Sequence, residues 1–279
     1  MIFIKEKAVY FICLLTVILF PIILGGRTID VGMQATVTEP NSYAISGLDM
    51  ILMDDYDQGS KYESFLIHRQ GMKCLEVVYA NVETLDYINI MSQAINDTNC
   101  EVMQFGNEVD LSSGINGYFG GWGIDHVKEY VQRISEIKKI IGPRKLIIGL
   151  STITGWKEWL QAFAEANGME YIDAIGLHIY YRYPENPYNK GDMLTTYTDQ
   201  VKIYPKPFWI TEIGLRGNPL DKGLAPAQAQ FIKDTFHDLI NSGANVVLYY
   251  GYNPAWEGVD IKNNPEALKA LRDIVEEYK

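Results

Sequence analysis

The sequence lacks several motifs by which common enzyme classes are recognised. No G-x-G-x-x-G turn follows any apolar run, which argues against a dinucleotide-binding fold. No G-x-S-x-G segment is present, which argues against a hydrolase built on a nucleophile elbow. The four histidines show no ligand spacing, and the three cysteines form no C-x-x-C pair. We therefore expect neither a cofactor nor a metal.

Positive charge is also scarce. The 279 residues include 24 Lys and Arg against 35 Asp and Glu, which gives a net charge of −11. Because a nucleic-acid-binding surface normally carries a basic excess, we do not expect a nucleic acid as partner. Aromatic residues, in contrast, are plentiful, with 19 Tyr and 5 Trp. They either fill the core or form stacking platforms for a flat or cyclic ligand.

A long apolar run occurs once, at the amino terminus. Residues 8–24 carry no charge and follow Lys5 and Lys7, and Pro21 interrupts the run. This length lies between a signal-peptide core and a membrane span. We predict that residues 1–26 are a signal peptide or a membrane anchor, and that the protein is extracellular, either secreted or membrane-anchored. The alternative is a buried helix. Residues 27–279 show no break and are predicted to form one domain.

Short apolar runs alternate with helical patterns over that domain. Continuous apolar runs are typical of strands buried on both faces of a parallel sheet. Eight β/α units favour a closed (β/α)₈ barrel, a TIM barrel, with an open doubly wound sheet as the alternative. The connection between the first two strands is too short for a normal helix. The predicted strands are Thr28–Thr36, Asp49–Met53, Lys73–Tyr79, Glu101–Phe105, Leu146–Leu150, Ala174–Tyr180, Phe208–Thr211 and Asn245–Tyr250.

Two cysteines remain outside the apolar amino-terminal run. Cys74 and Cys100 both lie near the starts of neighbouring predicted strands. In an oxidising compartment they are placed to form a disulfide, and the alternative is two separate buried thiols.

Polar side chains collect at the predicted carboxyl ends of the strands, where barrel enzymes build their sites. Glu108 follows strand four and Glu212 follows strand seven, each directly after an apolar run. Because a charged group is poorly solvated in such a setting, its presence there indicates a function. Three β/α units separate them, so we expect them to face each other across the barrel mouth. Opposed carboxyl groups suit cleavage of a glycosidic bond. Asp54 and Asn81, at the ends of strands two and three, are candidates for binding sugar hydroxyls.

These residues resemble the pattern of the clan A glycoside hydrolases, which place Asn-Glu after strand four and Glu after strand seven of a (β/α)₈ barrel. The resemblance covers about residues 28–279 by the order of elements. Its specific matches are short: GNE at Gly106–Glu108, HIY at His178–Tyr180 and WITEIG at Trp209–Gly214. Many members also carry an Arg near the end of strand two, where this chain reads DMILMDDYD.

The resemblance implies a role for each matched residue. Glu108 would be the general acid/base and Glu212 the nucleophile of a retaining mechanism. Asn107 would bind the sugar hydroxyl next to the anomeric carbon. Tyr180 would orient the nucleophile, and His178 would line the cleft near the acid/base. Trp256 would stack on the sugar. Weaker candidates for sugar contacts are Trp122, Tyr181 and Tyr183.

The sequence therefore predicts a retaining glycoside hydrolase that cleaves β-glycosidic bonds in an extracellular poly- or oligosaccharide through two glutamates. Two alternatives stay open. One is a carbohydrate-binding barrel without turnover, which the missing Arg favours. The other is a cell-surface transglycosylase, which would share every catalytic residue. We expect a carbohydrate partner, possible membrane anchoring through residues 8–24, and a monomer.

Overall fold

The computed structural model shows a closed barrel of eight parallel strands in chain order. It describes residues 29–35, 46–53, 56–57, 59–111, 121–152, 155–183, 190–218, 220–251 and 261–279. The last strand pairs with the first, Asp30 opposite Val246, which closes the sheet and excludes the open doubly wound alternative. The strands are β1 (Asp30–Gln34), β2 (Met50–Met53), β3 (Lys73–Val78), β4 (Val102–Phe105), β5 (Lys145–Leu150), β6 (Ala174–Arg182), β7 (Phe208–Arg216) and β8 (Val246–Tyr249).

Each of the eight predicted strands is present, and two of them continue past their predicted carboxyl ends. β6 and β7 continue together to Arg182 and Arg216, which pair with each other at the barrel mouth. The predicted end of strand seven at Thr211 is therefore wrong, because β6 keeps supplying hydrogen-bond partners beyond it. Glu212 consequently lies within β7 and does not follow it.

Helices connect the strands from β2 onward among the described residues. The last helix, α7 (Pro265–Tyr278), has a start of the kind its residues favour: the Asn264 side chain accepts a hydrogen bond from the Ala267 amide, and Pro265 takes the first helical position. No described helix combines the length and apolar character that a membrane span needs. The helices are α1 (Ser60–Arg69), α2 (Tyr87–Thr98), α3 (Val127–Ile140), α4 (Trp156–Glu165), α5 (Lys190–Val201), α6 (Leu224–Asn241) and α7 (Pro265–Tyr278).

Alternating side chains divide the core into two layers. In β3, for example, Leu75 and Val77 point into the barrel, while Cys74 and Val78 point toward the helices. The layer between strands and helices is the larger one and is rich in Ile, Leu, Phe and Trp. The inner layer fills the barrel, so the mouth rests on a packed floor. Its buried members are Met50, Leu52, Leu75, Val77, Val102, Ile147, Ala174, Trp209, Val246 and Leu248.

The two candidate cysteines form a disulfide. Cys74 lies at the start of β3 and Cys100 just before β4, with Cα atoms 4.9 Å apart. The bond ties neighbouring strands together at the amino-terminal end of the barrel, opposite the mouth. The apolar amino-terminal segment, residues 1–26, lies outside the described residues, and so does most of the connection between β1 and β2.

Candidate active site

Glu108 stands on a short loop at the end of β4, held in an unusual backbone conformation. Its φ angle is +46°, a left-handed value that a residue with a side chain seldom adopts. Bonds of the two residues after Glu108 maintain it: the Val109 amide donates to the Gly149 carbonyl at 3.1 Å, and the Ser151 amide donates to Asp110 at 2.7 Å. Backbone strain of this kind persists where the surrounding structure imposes it, which is frequent at active sites.

A β-bulge directs Glu212 toward the mouth. On β6 the partners Leu177 and His178 are adjacent, but on β7 they pair with Ile210 and Glu212, so β7 contains one extra residue. Strict alternation would place Glu212 on the same side as Ile210, against the helices. The extra residue restores it to the inward face beside His178, as bulges near active sites often do. Only 5% of the Glu212 side chain is exposed.

The two carboxylates meet at one imidazole. Nδ1 of His178 lies 3.4 Å from Oε1 of Glu108 and 3.4 Å from Oε2 of Glu212. Since both oxygens are that close to the same nitrogen, they are at most twice that distance apart. Glu108 and Glu212, which we expected to face each other across the mouth, therefore lie on either side of one His178 nitrogen. His178 itself is fully buried, so it forms the floor beneath the carboxylates.

The electrostatics of His178 reflect this setting. Complete burial lowers its pKa, because a charged imidazole loses its hydration. The negative charge of Glu212 and the hydrogen bond to Glu108 raise the pKa, and their combined effect prevails, so the pKa lies above its ordinary value. The His178 ring therefore lies between two carboxylates that favour its charged form.

Tyr180 supplies a second donor to Glu212. Its hydroxyl donates to Oε2 of Glu212 in a short hydrogen bond. Burial, followed by the charge of Glu212, raises the pKa of Tyr180 well above its ordinary value, so the phenol stays protonated and keeps donating. Two contacts hold the ring in place. The Tyr250 ring is perpendicular to it, with the two ring centroids 5.5 Å apart, and the guanidinium carbon of Arg216 lies 4.0 Å from the Tyr180 centroid.

Asn107, just before Glu108, is oriented from inside the barrel. Its side-chain oxygen accepts a hydrogen bond of 3.0 Å from Nε2 of Gln104, which also donates to the Gly106 carbonyl. Gln104 needs the space that Gly149 leaves on β5, where an added Cβ would lie 2.6 Å from Nε2. The buried amide of Gln104 thus sets which end of the Asn107 side chain is available to a ligand.

A family comparison places this geometry in a known group. The sequence profile of the glycosyl hydrolase catalytic core family matches residues 74–269, most of the barrel. The chain belongs to this family. It is a glycosidase, and its resemblance to clan A glycoside hydrolases is confirmed. A search of curated protein sequences finds no match to the chain.

Solved structures agree with the fold of this glycosyl hydrolase. A family 10 endo-β-1,4-xylanase from Gloeophyllum trabeum superposes with a TM-score of 0.62 at 14% identity, covering 88% of this chain and 97% of that one. A family 128 endo-β-1,3-glucanase from Sorangium cellulosum gives a TM-score of 0.62 at 15% identity, with 88% and 97% coverage. A family 128 endo-β-1,3-glucanase from Amycolatopsis mediterranei, solved with laminaritriose, gives 0.59 at 16% identity, with 88% and 98% coverage.

The other candidates of the glycosyl hydrolase lie in different settings. The side-chain oxygen of Asn81 accepts bonds from the Glu83 amide and the Thr84 hydroxyl, so it holds its own loop, and its sugar contact stays a prediction. Asp54 and Trp256 lie outside the described residues. Trp122 is 1% exposed and donates to the Ala80 carbonyl, and Tyr181 packs outward on Phe231. Both are core residues, so their weaker assignment to sugar contacts is wrong.

Sequence reasoning missed three features of the hydrolase site. Gln104 had a signal, since it is a polar residue at an inward position of the apolar run VMQF. The bulge had a weaker signal in the sequence, since Thr211 and Glu212 are two successive polar residues between Ile210 and Ile213, which both pack toward the helices. Arg216 had none, because the predicted strand ended five residues before it and nothing local indicates which ring it covers.

Proposed function

We propose that this glycosidase is a retaining enzyme that cleaves β-glycosidic bonds in an extracellular polysaccharide. The observation that carries the proposal is the contact of one His178 nitrogen with both Glu108 and Glu212 at 3.4 Å. It favours the carboxyl separation of about 5–5.5 Å found in retaining enzymes over the separation of about 6.5–9.5 Å that inverting enzymes need for a water molecule.

The first half of the reaction divides the work between the two carboxyl groups. Glu108, protonated and the more exposed of the two, gives its proton to the glycosidic oxygen as the bond to the anomeric carbon breaks. Glu212, ionised and held by Tyr180 and His178, attacks the anomeric carbon from the opposite face and forms a glycosyl-enzyme ester.

The second half reverses the role of Glu108. Now a carboxylate, it removes a proton from a water molecule, whose oxygen attacks the anomeric carbon and displaces Glu212. The sugar leaves with its original anomeric configuration. The Asn107 oxygen is occupied by Gln104, so its amide nitrogen is the end that donates to the hydroxyl beside the anomeric carbon.

The substrate class follows the relatives with the same fold. Two of them are endo-β-1,3-glucanases, one solved with laminaritriose, and one is an endo-β-1,4-xylanase. β-1,3-Glucans and xylans are therefore the first polymers to test. The acidic chain also suits a neutral polymer better than a polyanionic one.

Sugar release by residues 27–279 from a panel of β-glucans, xylans, mannans and galactans tests the proposal. Proton NMR of the first product gives its anomeric form, and we expect the β-anomer to appear before mutarotation. Release of the α-anomer would exclude retention. Binding of a polymer without release would favour the carbohydrate-binding barrel, and longer oligosaccharide products would favour the transglycosylase.

We also infer that the protein acts outside the cytoplasm. The apolar run of residues 8–24 after two lysines and the Cys74–Cys100 disulfide support this location. Mass spectrometry of the full chain expressed in a secreting host tests it. Loss of residues 1–26 indicates a cleaved signal, and an intact chain in the membrane fraction indicates an anchor. An intact chain in the cytoplasm would contradict the inference.

A further inference from the structure

Arg216 lies on the face of the tyrosine that holds the proposed nucleophile. Its guanidinium carbon is 4.0 Å from the centroid of the Tyr180 ring, well within the range of a cation–π contact. The contact depends on the extension of β6 and β7 past the bulge, where Tyr180 pairs with Gly214 and Arg182 with Arg216. Gly214 lies between Glu212 and Arg216 on β7.

The strand end that carries Arg216 is anchored. The Tyr183 amide donates to the Arg216 carbonyl at 2.6 Å, which continues the pairing of β6 and β7 beyond the last residue of the sheet. Glu212 and Arg216 thus stand on one strand, four residues apart and on the same face, with the Tyr180 ring beside both. The ring contacts both the guanidinium of Arg216 and the ring of Tyr250.

We propose that Arg216 is a positioning residue: it holds the Tyr180 ring so that the hydroxyl stays on Glu212. A cation over the π-face draws electron density from the phenol, which strengthens the O–H group as a donor. A hydrogen bond from a hydroxyl to a carboxylate is charge-assisted and short. Arg216 therefore favours the ionised form of Glu212 through the hydroxyl of Tyr180.

The pH dependence of Glu212 involves every group that faces it. Ionisation of Glu108 opposes ionisation of Glu212, while the Tyr180 hydroxyl, whose ring Arg216 holds, favours it. Removing the cation shifts that balance toward the protonated carboxyl. Among the described residues, the groups that contact Glu212 or its partners His178 and Tyr180 include Glu108 from the β4 end, Arg216 from β7 and Tyr250 next to β8.

Kinetics of three variants test the role, which rests on the proposed nucleophile. We expect Arg216→Met to lower kcat by about 5- to 30-fold, the scale of a partly desolvated cation–π contact, with KM within about twofold. The acid limb of the kcat profile should move to higher pH by about 0.5–1 unit. Arg216→Lys, which keeps the charge, should recover most of both. Arg182→Met, the exposed arginine paired with Arg216, is the control and should match the wild type.

A double variant separates action through Tyr180 from direct contact with sugar. In a Tyr180→Phe background the ring has no hydroxyl to hold, so adding Arg216→Met should cost less than threefold. An undiminished cost there, or a rise in KM in place of a fall in kcat, would overturn the proposal in favour of substrate binding by Arg216. Arg216→Gln replaces Arg216→Met if the methionine variant does not fold.

An activity-independent measurement keeps the two proposals apart. NMR titration of protein with ¹³C-labelled glutamate carboxyl groups follows Glu212 directly, and Glu212→Gln assigns its signal. We expect a higher titration midpoint in Arg216→Met and a value close to wild type in Arg216→Lys and Arg182→Met. An unchanged midpoint in Arg216→Met overturns the role of Arg216. Wild-type protein that cleaves none of the polymers overturns only the proposed function, because this titration needs no turnover.

Discussion

The two ends of the barrel use carboxylates in opposite ways. At the amino-terminal end an acid precedes each of three even-numbered strands and accepts a hydrogen bond from the second residue of the strand before it. Asp49 accepts from the Val31 amide, Glu101 from Cys74 and Asp173 from Leu146. At the mouth, Glu108 and Glu212 face an imidazole, a phenol and each other.

The difference separates stability from chemistry. A carboxylate that accepts a backbone N–H at a strand start stabilises the fold and has little left to give a substrate. A carboxylate beside another carboxylate, over a buried histidine, costs stability and is kept for a reaction. The disulfide lies at the first end, and the positive φ and the β-bulge lie at the second. We therefore expect substitutions at the mouth to lower kcat without loss of stability, and matched substitutions at the amino-terminal end to lower stability without loss of kcat.

The largest expected effect is that of Glu212→Gln on activity. Losing the nucleophile should lower kcat by a factor of about 10⁴ or more, on the scale seen when other covalent nucleophiles are removed. The isosteric amide should leave the thermal midpoint equal or higher, because the buried negative charge of Glu212 is gone. Hydrolysis assays and calorimetry measure the two quantities.

Asp173→Asn is the control at the other end. It should lower the free energy of unfolding by about 1 kcal/mol through its bonds to Leu146 and Lys138, and leave kcat unchanged. If Asp173→Asn lowers kcat as Glu212→Gln does, the two ends do not differ as described.

Glu108→Gln should have a smaller effect that depends on the leaving group. On a polysaccharide, whose leaving oxygen needs a proton, we expect a loss of about 10²–10⁴-fold in kcat/KM. On an aryl glycoside with an acidic phenol the loss should be much smaller, because that phenolate leaves unprotonated. Glu101→Gln serves as control and should spare both substrates. Equal losses on both substrates in Glu108→Gln would show that Glu108 is not the acid.

Removing the disulfide should affect stability alone. It closes a loop of 26 residues, so the Cys74→Ala/Cys100→Ala variant should unfold with a free energy lower by about 3 kcal/mol. For a protein of this size the thermal midpoint should fall by roughly 6–12 °C. Activity per folded molecule should match the wild type, since the bond lies opposite the mouth. A changed kcat at temperatures where both proteins are folded would argue for coupling between the ends.

The smallest expected effect is a change in the pH dependence of stability at His178. Its native pKa is raised, because the charges of Glu212 and Glu108 outweigh burial. Its contribution to stability is therefore complete below its unfolded pKa of about 6.5 and is lost as pH rises through the native pKa. Urea unfolding of wild type and His178→Gln should differ more at pH 5.5 than at pH 9. A difference that grows with pH would contradict a raised pKa.

Much of the fold could be predicted from the sequence because local patterns encode it. Continuous apolar runs identify strands buried on both faces, and the Asn264-Pro265 pair marks the start of α7. The positions of Glu108 and Glu212 in the chain then place them at the mouth of a barrel, since that is where parallel strands end. The disulfide was one of two alternatives, because the proximity of Cys74 and Cys100 depends on strand pairing.

Contacts between distant residues, and the face of the sheet that each side chain occupies, depend on the tertiary structure. The bulge in β7 changes which face Glu212 occupies, and a shift of one residue reverses a side chain without any change in composition. The meeting of His178 with Glu108 joins residues 70 positions apart, and the stacking of Arg216 on Tyr180 requires two strands to continue side by side. Such contacts depend on register and closure of the sheet, which no local run of residues specifies. Local sequence was enough to predict the eight strands and to single out Glu108 and Glu212, whereas closure of the barrel brings both carboxylates to one histidine.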